Sequence, residues 1–155
     1  MVKMKGLIGL FIVLIMTGCS VNKYVNTSEV KEFKKDIRKA YEFIDSIQIY
    51  KMSGPNTLFI QYVSIDEVDS ELAQKCFETT KNWITQKSNL EAIESYLAIK
   101  ISKISIRISS PRKYDNWEAS YYKHEPNESI TKKTPVDNFE TWYYWEYVKD
   151  ETSLP

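Results

Sequence analysis

The sequence predicts an α+β fold: an antiparallel sheet with helices packed on one face. Three observations carry this expectation. Apolar residues recur at helical spacing in two long segments. They alternate with polar residues in several short ones. The two kinds of segment follow one another in the order α-β-β-α-β-β-β. With 155 residues, 43% of them hydrophobic and 27% charged, the chain suits one ordinary folded domain.

The first segment is not part of that domain. Lys3 and Lys5 make a positive start, and Leu7 to Met16 is apolar apart from Gly9. A helix across Gly6 to Gly18 would span about 20 Å, short of the roughly 30 Å of a bilayer core. The segment therefore reads as a signal-peptide core rather than a membrane span. It ends in Met16-Thr17-Gly18-Cys19. This run resembles the lipobox of bacterial lipoproteins over residues 1–19, with Met16 where the family most often has leucine.

The resemblance implies that residues 1–18 are removed and that Cys19 is lipidated. The mature protein would then be extracytoplasmic, anchored to a bacterial membrane without crossing it. The anchor would lie in the outer leaflet of the plasma membrane, or in the outer membrane of a Gram-negative cell. One acyl chain holds a protein only marginally. A lipobox cysteine carries a diacylglyceryl group and often a third chain, which makes a stable anchor. Removing residues 1–18 takes Lys3 and Lys5 and leaves 19 basic against 21 acidic side chains. Residues 19–28 are then the lipidated cysteine and a short tether. Its nine flexible residues would span roughly 15–18 Å, and 29–150 would form the single domain.

Within that domain, Val30, Phe33, Ile37, Ala40, Tyr41 and Ile44 mark a helix over about 29–45, capped by Ser28. Ile47 to Met52 and Leu58 to Tyr62 form a hairpin across Ser53-Gly54-Pro55-Asn56. Ser64-Ile65-Asp66-Glu67 matches a capping box, and the helix it opens runs to about Lys87. Ser88-Asn89-Leu90-Glu91 is a second match, from which Leu90, Ile93 and Leu97 continue a helical phase. From Ile99 the isoleucines favour a strand, with a bulge near Ser102-Lys103. A helix through Leu97, Ile101, Ile104 and Ile108 is the rival reading. Pro111 ends this element. Trp117 to Lys123 and Phe139 to Val148 are the last two strands, separated by a loop over 124–138. The order resembles the NTF2-like and cystatin-like cone folds on topology alone, and fold does not fix function.

The chemistry on offer is narrow. Gly54 is the one glycine of the mature chain, which excludes the dinucleotide fingerprint, the P-loop and the nucleophile elbow. His124 is the only histidine and lies in a polar loop, where a solvated side chain is the simpler reading than a catalytic triad. Cys76 falls on an apolar helical stripe with Leu72 and Trp83 and reads as a core thiol. Asp66, Glu67, Asp69 and Glu71 lack the glycine of a calcium loop and suit the first turn of a helix. No metal and no cofactor is expected. The charge balance carries no nucleic-acid signature.

The strongest positive feature is Phe139 to Tyr147, in which six of nine residues are aromatic. On a strand, Tyr143 and Trp145 should meet the helices, leaving Trp142 and Tyr144 on the open face. Arg107, Tyr122, Trp142 and Tyr144 would then share a sheet surface able to stack on sugar rings or hold a partner protein. Cross-strand packing that only stabilises the sheet is the plainer alternative. Trp145→Ala should accordingly unfold the domain, and Trp142→Ala should spare it. The reading is a non-enzymatic binding or interaction domain. Its partners are the membrane, through the anchor, and an envelope protein or a cell-wall glycan. A carboxylate-dependent hydrolase is the remaining alternative.

Overall fold

The computed structural model describes residues 22–52, 56–123 and 134–149. The lipobox-like segment with Cys19, most of the turn at 53–56 and His124 lie outside them. The elements run β1 (Lys23–Tyr24), α1 (Ser28–Ala40), β2 (Ser46–Lys51), β3 (Thr57–Val63), α2 (Ser70–Ile84), α3 (Lys87–Leu97), β4 (Lys103–Ser109), β5 (Lys113–Ser120) and β6 (Trp142–Val148). The class is α+β: the described residues form six strands in one open sheet, in the spatial order β1-β2-β3-β4-β5-β6, with three helices.

The sheet is mixed rather than antiparallel as expected. β3 and β4 pair in parallel, with Leu58 opposite Ile104 and Tyr62 opposite Ile108. All other neighbours are antiparallel. Parallel neighbours need a long crossover, and α2 and α3 supply it. The expected order α-β-β-α-β-β-β gives way to one with an extra leading strand and a divided second helix. The cone comparison, which rested on that order, loses its footing.

One core serves all the layers. Ile47 and Ile49, then Leu58, Ile60 and Tyr62, then Ile104, Ile106 and Ile108, then Trp117 and Ala119 project from one sheet face, and all are buried. The helices cover that face. Phe77 of α2 stacks on Trp117 with ring centres 4.6 Å apart. The Tyr62 hydroxyl meets Thr80 Oγ1 at 2.7 Å. α1 lies against α2, with Phe33 stacked on Trp83 at 4.0 Å.

Three local expectations are corrected. α1 ends at Ala40, and its N-cap is Thr27, whose side chain accepts from the Val30 N–H. Neither capping box forms. Ser64 Oγ closes a turn on Asp66, and the N-cap of α2 is Asp69, which accepts from the Leu72 N–H at 2.8 Å. Asn89 instead donates to the Trp83 carbonyl, satisfying the end of the helix before it. Ile99 and Ile101 precede β4 without joining it, because α3 stops at Ala98 in the left-handed conformation (φ 57°) and the chain turns there.

The tether also shortens. Lys23 and Tyr24 pair with Lys51 and Tyr50, the Val25 N–H donates to the Ile49 carbonyl at 2.8 Å, and Val25 is buried. The folded part begins at Lys23, where a free tether to Ser28 was expected. Val25 can leave water only by docking on the sheet, and that carries its neighbours into a strand.

Candidate functional site: an aromatic cleft and an open sheet face

The register overturns the expected faces of β6. Trp142 stands opposite Ala119 and Tyr144 opposite Trp117, so both belong to the helix-bearing face. Trp142 meets Phe77 edge-on at 5.3 Å and donates its indole N–H to the Phe139 carbonyl at 2.9 Å. Tyr143, Trp145 and Tyr147 lie on the open face, opposite Glu118, Asn116 and Tyr114. Both alternating positions of this strand carry rings, so hydrophobicity along it has no period to read.

Of the four residues expected to share a surface, only Arg107 lies on the open face within the strands. Tyr122 follows β5 and forms an isolated bridge to Val136. Trp142 and Tyr144 point the other way. The open face is nonetheless aromatic. Tyr50 stacks on Phe59 at 5.6 Å, and Tyr114 on Tyr147 at 4.9 Å. The Arg107 guanidinium sits 4.5 Å over the Tyr114 ring and donates from Nε to Asn116 Oδ1 at 3.2 Å. Ser105 donates to the same oxygen. Asn116 is buried, and its Nδ2 has no hydrogen-bond partner among the described residues.

Tyr144 anchors a separate polar cluster at the far end of β6. Its hydroxyl donates to the buried Asp115 at 2.7 Å. Half of the ring is exposed, yet its hydroxyl end is desolvated against that carboxylate, and both effects push the phenol well above its usual value. Lys113 bridges Asp115 and Glu146, at 3.5 and 2.8 Å. Burial opposes the Lys113 charge, but the two acids outweigh it and hold the ammonium above its ordinary value. This network satisfies itself.

A large concavity lies at the other end of the sheet. A cleft of about 690 Å³ is bounded by Thr85 at the end of α2, by Lys87, Leu90, Glu91 and Glu94 of α3, by Lys100 to Ser102, by Asn56, and by Tyr121, Tyr122, Asn138 and Phe139. That volume falls within the usual range for small-ligand sites. Tyr121 packs edge-on against both Tyr122 and Phe139, at 5.1 and 5.9 Å. Asn138 and Phe139 both adopt positive φ, 52° and 64°. That conformation is strained for phenylalanine. It is held by Phe139 burial and by the N–H groups of Asp137 and Asn138, which both donate to the Tyr121 carbonyl. Glu94 is committed to Lys100 Nζ at 2.6 Å and to the Ile101 N–H at 2.9 Å. Glu91 is exposed and leans toward Lys87 at 3.9 Å.

No family model, curated protein or solved structure matches this chain. The site therefore rests on its own geometry. Cys76 is fully buried on α2, and burial pushes its thiol up to about 12, out of the reactive range. Among the described residues, no cluster of three or more His, Cys, Asp or Glu side chains could hold a metal. No described helix is long and apolar enough to cross a membrane.

Sequence reasoning reached Tyr122 but missed the rest of the cleft. Its walls come from five separated stretches, and nothing along the chain marks their convergence. The one available signal was the dipeptide Tyr121-Tyr122, two rings at a strand end where the chain leaves the sheet.

Proposed function

We propose that this chain is a membrane-tethered bacterial envelope lipoprotein whose domain is a non-enzymatic binding module, with a cell-wall glycan as the ligand of its cleft. The lipoprotein part is supported by the signal-like segment ending in Met16-Thr17-Gly18-Cys19. The observation that carries the binding part is the aromatic wall of the cleft, Tyr121 and Tyr122 backed by the buried Phe139, set against the polar groups of Asn56, Ser102, Asn138 and Glu91. A sugar ring has one apolar face and a rim of hydroxyls. Rings suit the first, and amide, hydroxyl and carboxylate groups suit the second. A binding role is further favoured over hydrolysis because one cleft carboxylate, Glu94, is already held by an ion pair and a backbone N–H.

A second reading has its own observation. The open sheet face joins Arg107 to Tyr114, Trp145 and Tyr147, the residue types that anchor protein interfaces. An envelope protein is the partner this face suits.

Two experiments test the proposal. Metabolic labelling with a fatty acid should mark the wild type and not Cys19→Ala, and equal labelling refutes the anchor. Titration with soluble cell-wall oligosaccharides should show saturable binding, weakened at least tenfold by Tyr122→Ala at unchanged melting temperature. Absence of saturable binding refutes the glycan reading. Loss of binding in Trp145→Ala with retention in Tyr122→Ala moves the site to the open face.

A further inference from the structure

We infer that the cleft end of the domain is a lipid-docking surface that seats on the same bilayer that holds the anchor. The inference rests on the lipoprotein reading and adds an orientation and a contact surface to it. The first argument is chain length. β1 enters the sheet at Lys23, beside Lys51 at the end of β2. That row continues through Leu58, Ile104, Ala119 and Trp142, so Lys23 lies at the end of the sheet where β3, β4 and β6 begin and β5 finishes. Asn56, Ser102 and Tyr121, which bound the cleft, stand two residues beyond the same row. The four residue steps from Cys19 to Lys23 reach at most about 14 Å even when fully extended. A lipidated Cys19 therefore holds this end, and no other, near the headgroups.

The second argument is composition. Of the eleven large hydrophobic residues that stand exposed among the described residues, six gather here: Tyr24, Met52, Tyr96, Tyr121, Tyr122 and Val136. Four of these are tyrosines, whose ring and hydroxyl suit the boundary between acyl chains and water. Lys23 is fixed among them. Its ammonium donates to the Tyr96 carbonyl at 3.3 Å and lies 5.5 Å from the Tyr96 ring centre. Lys100 and Lys123 are exposed at the same end. Long basic side chains lie along apolar surface and leave their charge at the headgroups. A bilayer surface fits this mixture, whereas a tether alone requires none of it. A glycan that enters the cleft then arrives along the membrane surface.

The test uses the full lipidated chain in vesicles of phosphatidylethanolamine and phosphatidylglycerol containing a nickel-chelating lipid. Spin labels are placed at Met52→Cys, at Tyr96→Cys and, at the opposite end of the sheet, at Ile65→Cys. The buried Cys76 does not compete for label. Relaxation enhancement by the headgroup nickel should be at least fivefold greater at 52 and 96 than at 65. Equal enhancement at all three overturns the inference. A ten-residue Gly/Ser insertion between Val21 and Asn22 then separates docking from leash length. Enhancement that survives the insertion supports a docking surface, and enhancement lost at 52 and 96 overturns it. Failure of the chain to incorporate fatty acid or to float with vesicles defeats the lipoprotein reading itself. A chain that floats while its labels respond equally defeats the orientation alone.

Discussion

Removing Trp142 should destabilise the domain more than removing Trp145, although the two lie three residues apart on one strand. Trp142 is half-buried on the helix side. Trp142→Ala deletes its edge-on contact with Phe77, which contributes about 0.5–1.5 kcal/mol beyond area burial. It also deletes the indole hydrogen bond to the Phe139 carbonyl, about 0.5–1.5 kcal/mol. Full burial of a tryptophan would bring the loss to about 3–5 kcal/mol, so half-burial places it near 2–3 kcal/mol. Trp145 is 38% exposed and has no ring stack or indole hydrogen bond among the described residues. Its loss removes partial burial alone and should cost about 1–2 kcal/mol. In a thermal melt of a domain this size, the difference separates a fall of about 10 °C from one of about 5 °C. Trp142→Phe, which keeps the ring contact and drops the N–H, should fall between. A larger loss for Trp145→Ala than for Trp142→Ala would refute the register of β6, and with it the assignment of the open face.

Other consequences are equally direct. The Cys76 thiol is raised to about 12 in the fold, so between about pH 9 and 12 the unfolded chain gives up a proton that the native one keeps. Stability should then fall as pH rises through that window, with a slope from this thiol of up to about 1.4 kcal/mol per pH unit. Cys76→Ala should make denaturant-melt stability fall less steeply between about pH 9 and 10, below the range where the raised Tyr62 and Tyr144 phenols add to the slope. Thr80 Oγ1 joins the buried Tyr62 hydroxyl and the Cys76 carbonyl. Thr80→Val should therefore cost about 1–3 kcal/mol in urea titration by stranding that phenol, more than Tyr62→Phe, which leaves Thr80 its carbonyl partner. Asp69→Ala should cost about 1 kcal/mol by removing the N-cap of α2, whereas Ser64→Ala, at the capping box that does not form, should leave α2 helicity by circular dichroism unchanged.

Much of the fold was legible because its patterns are strong and local. The isoleucines of β4 alternate with Ser105 and Arg107, and they are buried as that alternation requires. Val30, Phe33 and Ile37 keep helical spacing and face the core. Cys76 follows the stripe of α2. Errors arose where a local motif competed with a better tertiary partner. Glu67, read as the capping-box acid, reaches instead to Ser110 Oγ and to the Arg112 N–H, more than forty residues away. Asn89 was read as part of its own helix start and turned back to close the previous helix.

The sequence by itself determined most of the segments that are helix and most that are strand, and which residues are buried in most of them. These are properties of neighbours along the chain, and periodicity and composition record them. Only the tertiary structure decided the parallel pairing of β3 with β4, the docking of Lys23 and Tyr24 as a strand, and the side of the sheet to which Trp142 and Tyr144 turn. β6 shows why. With Trp142 and Tyr144 on one alternation and Tyr143, Trp145 and Tyr147 on the other, either face was apolar enough to be buried. The choice fell to contacts made across space: Phe77 against Trp142, Asp115 against the Tyr144 hydroxyl, and the pairing with β5 that allows both together.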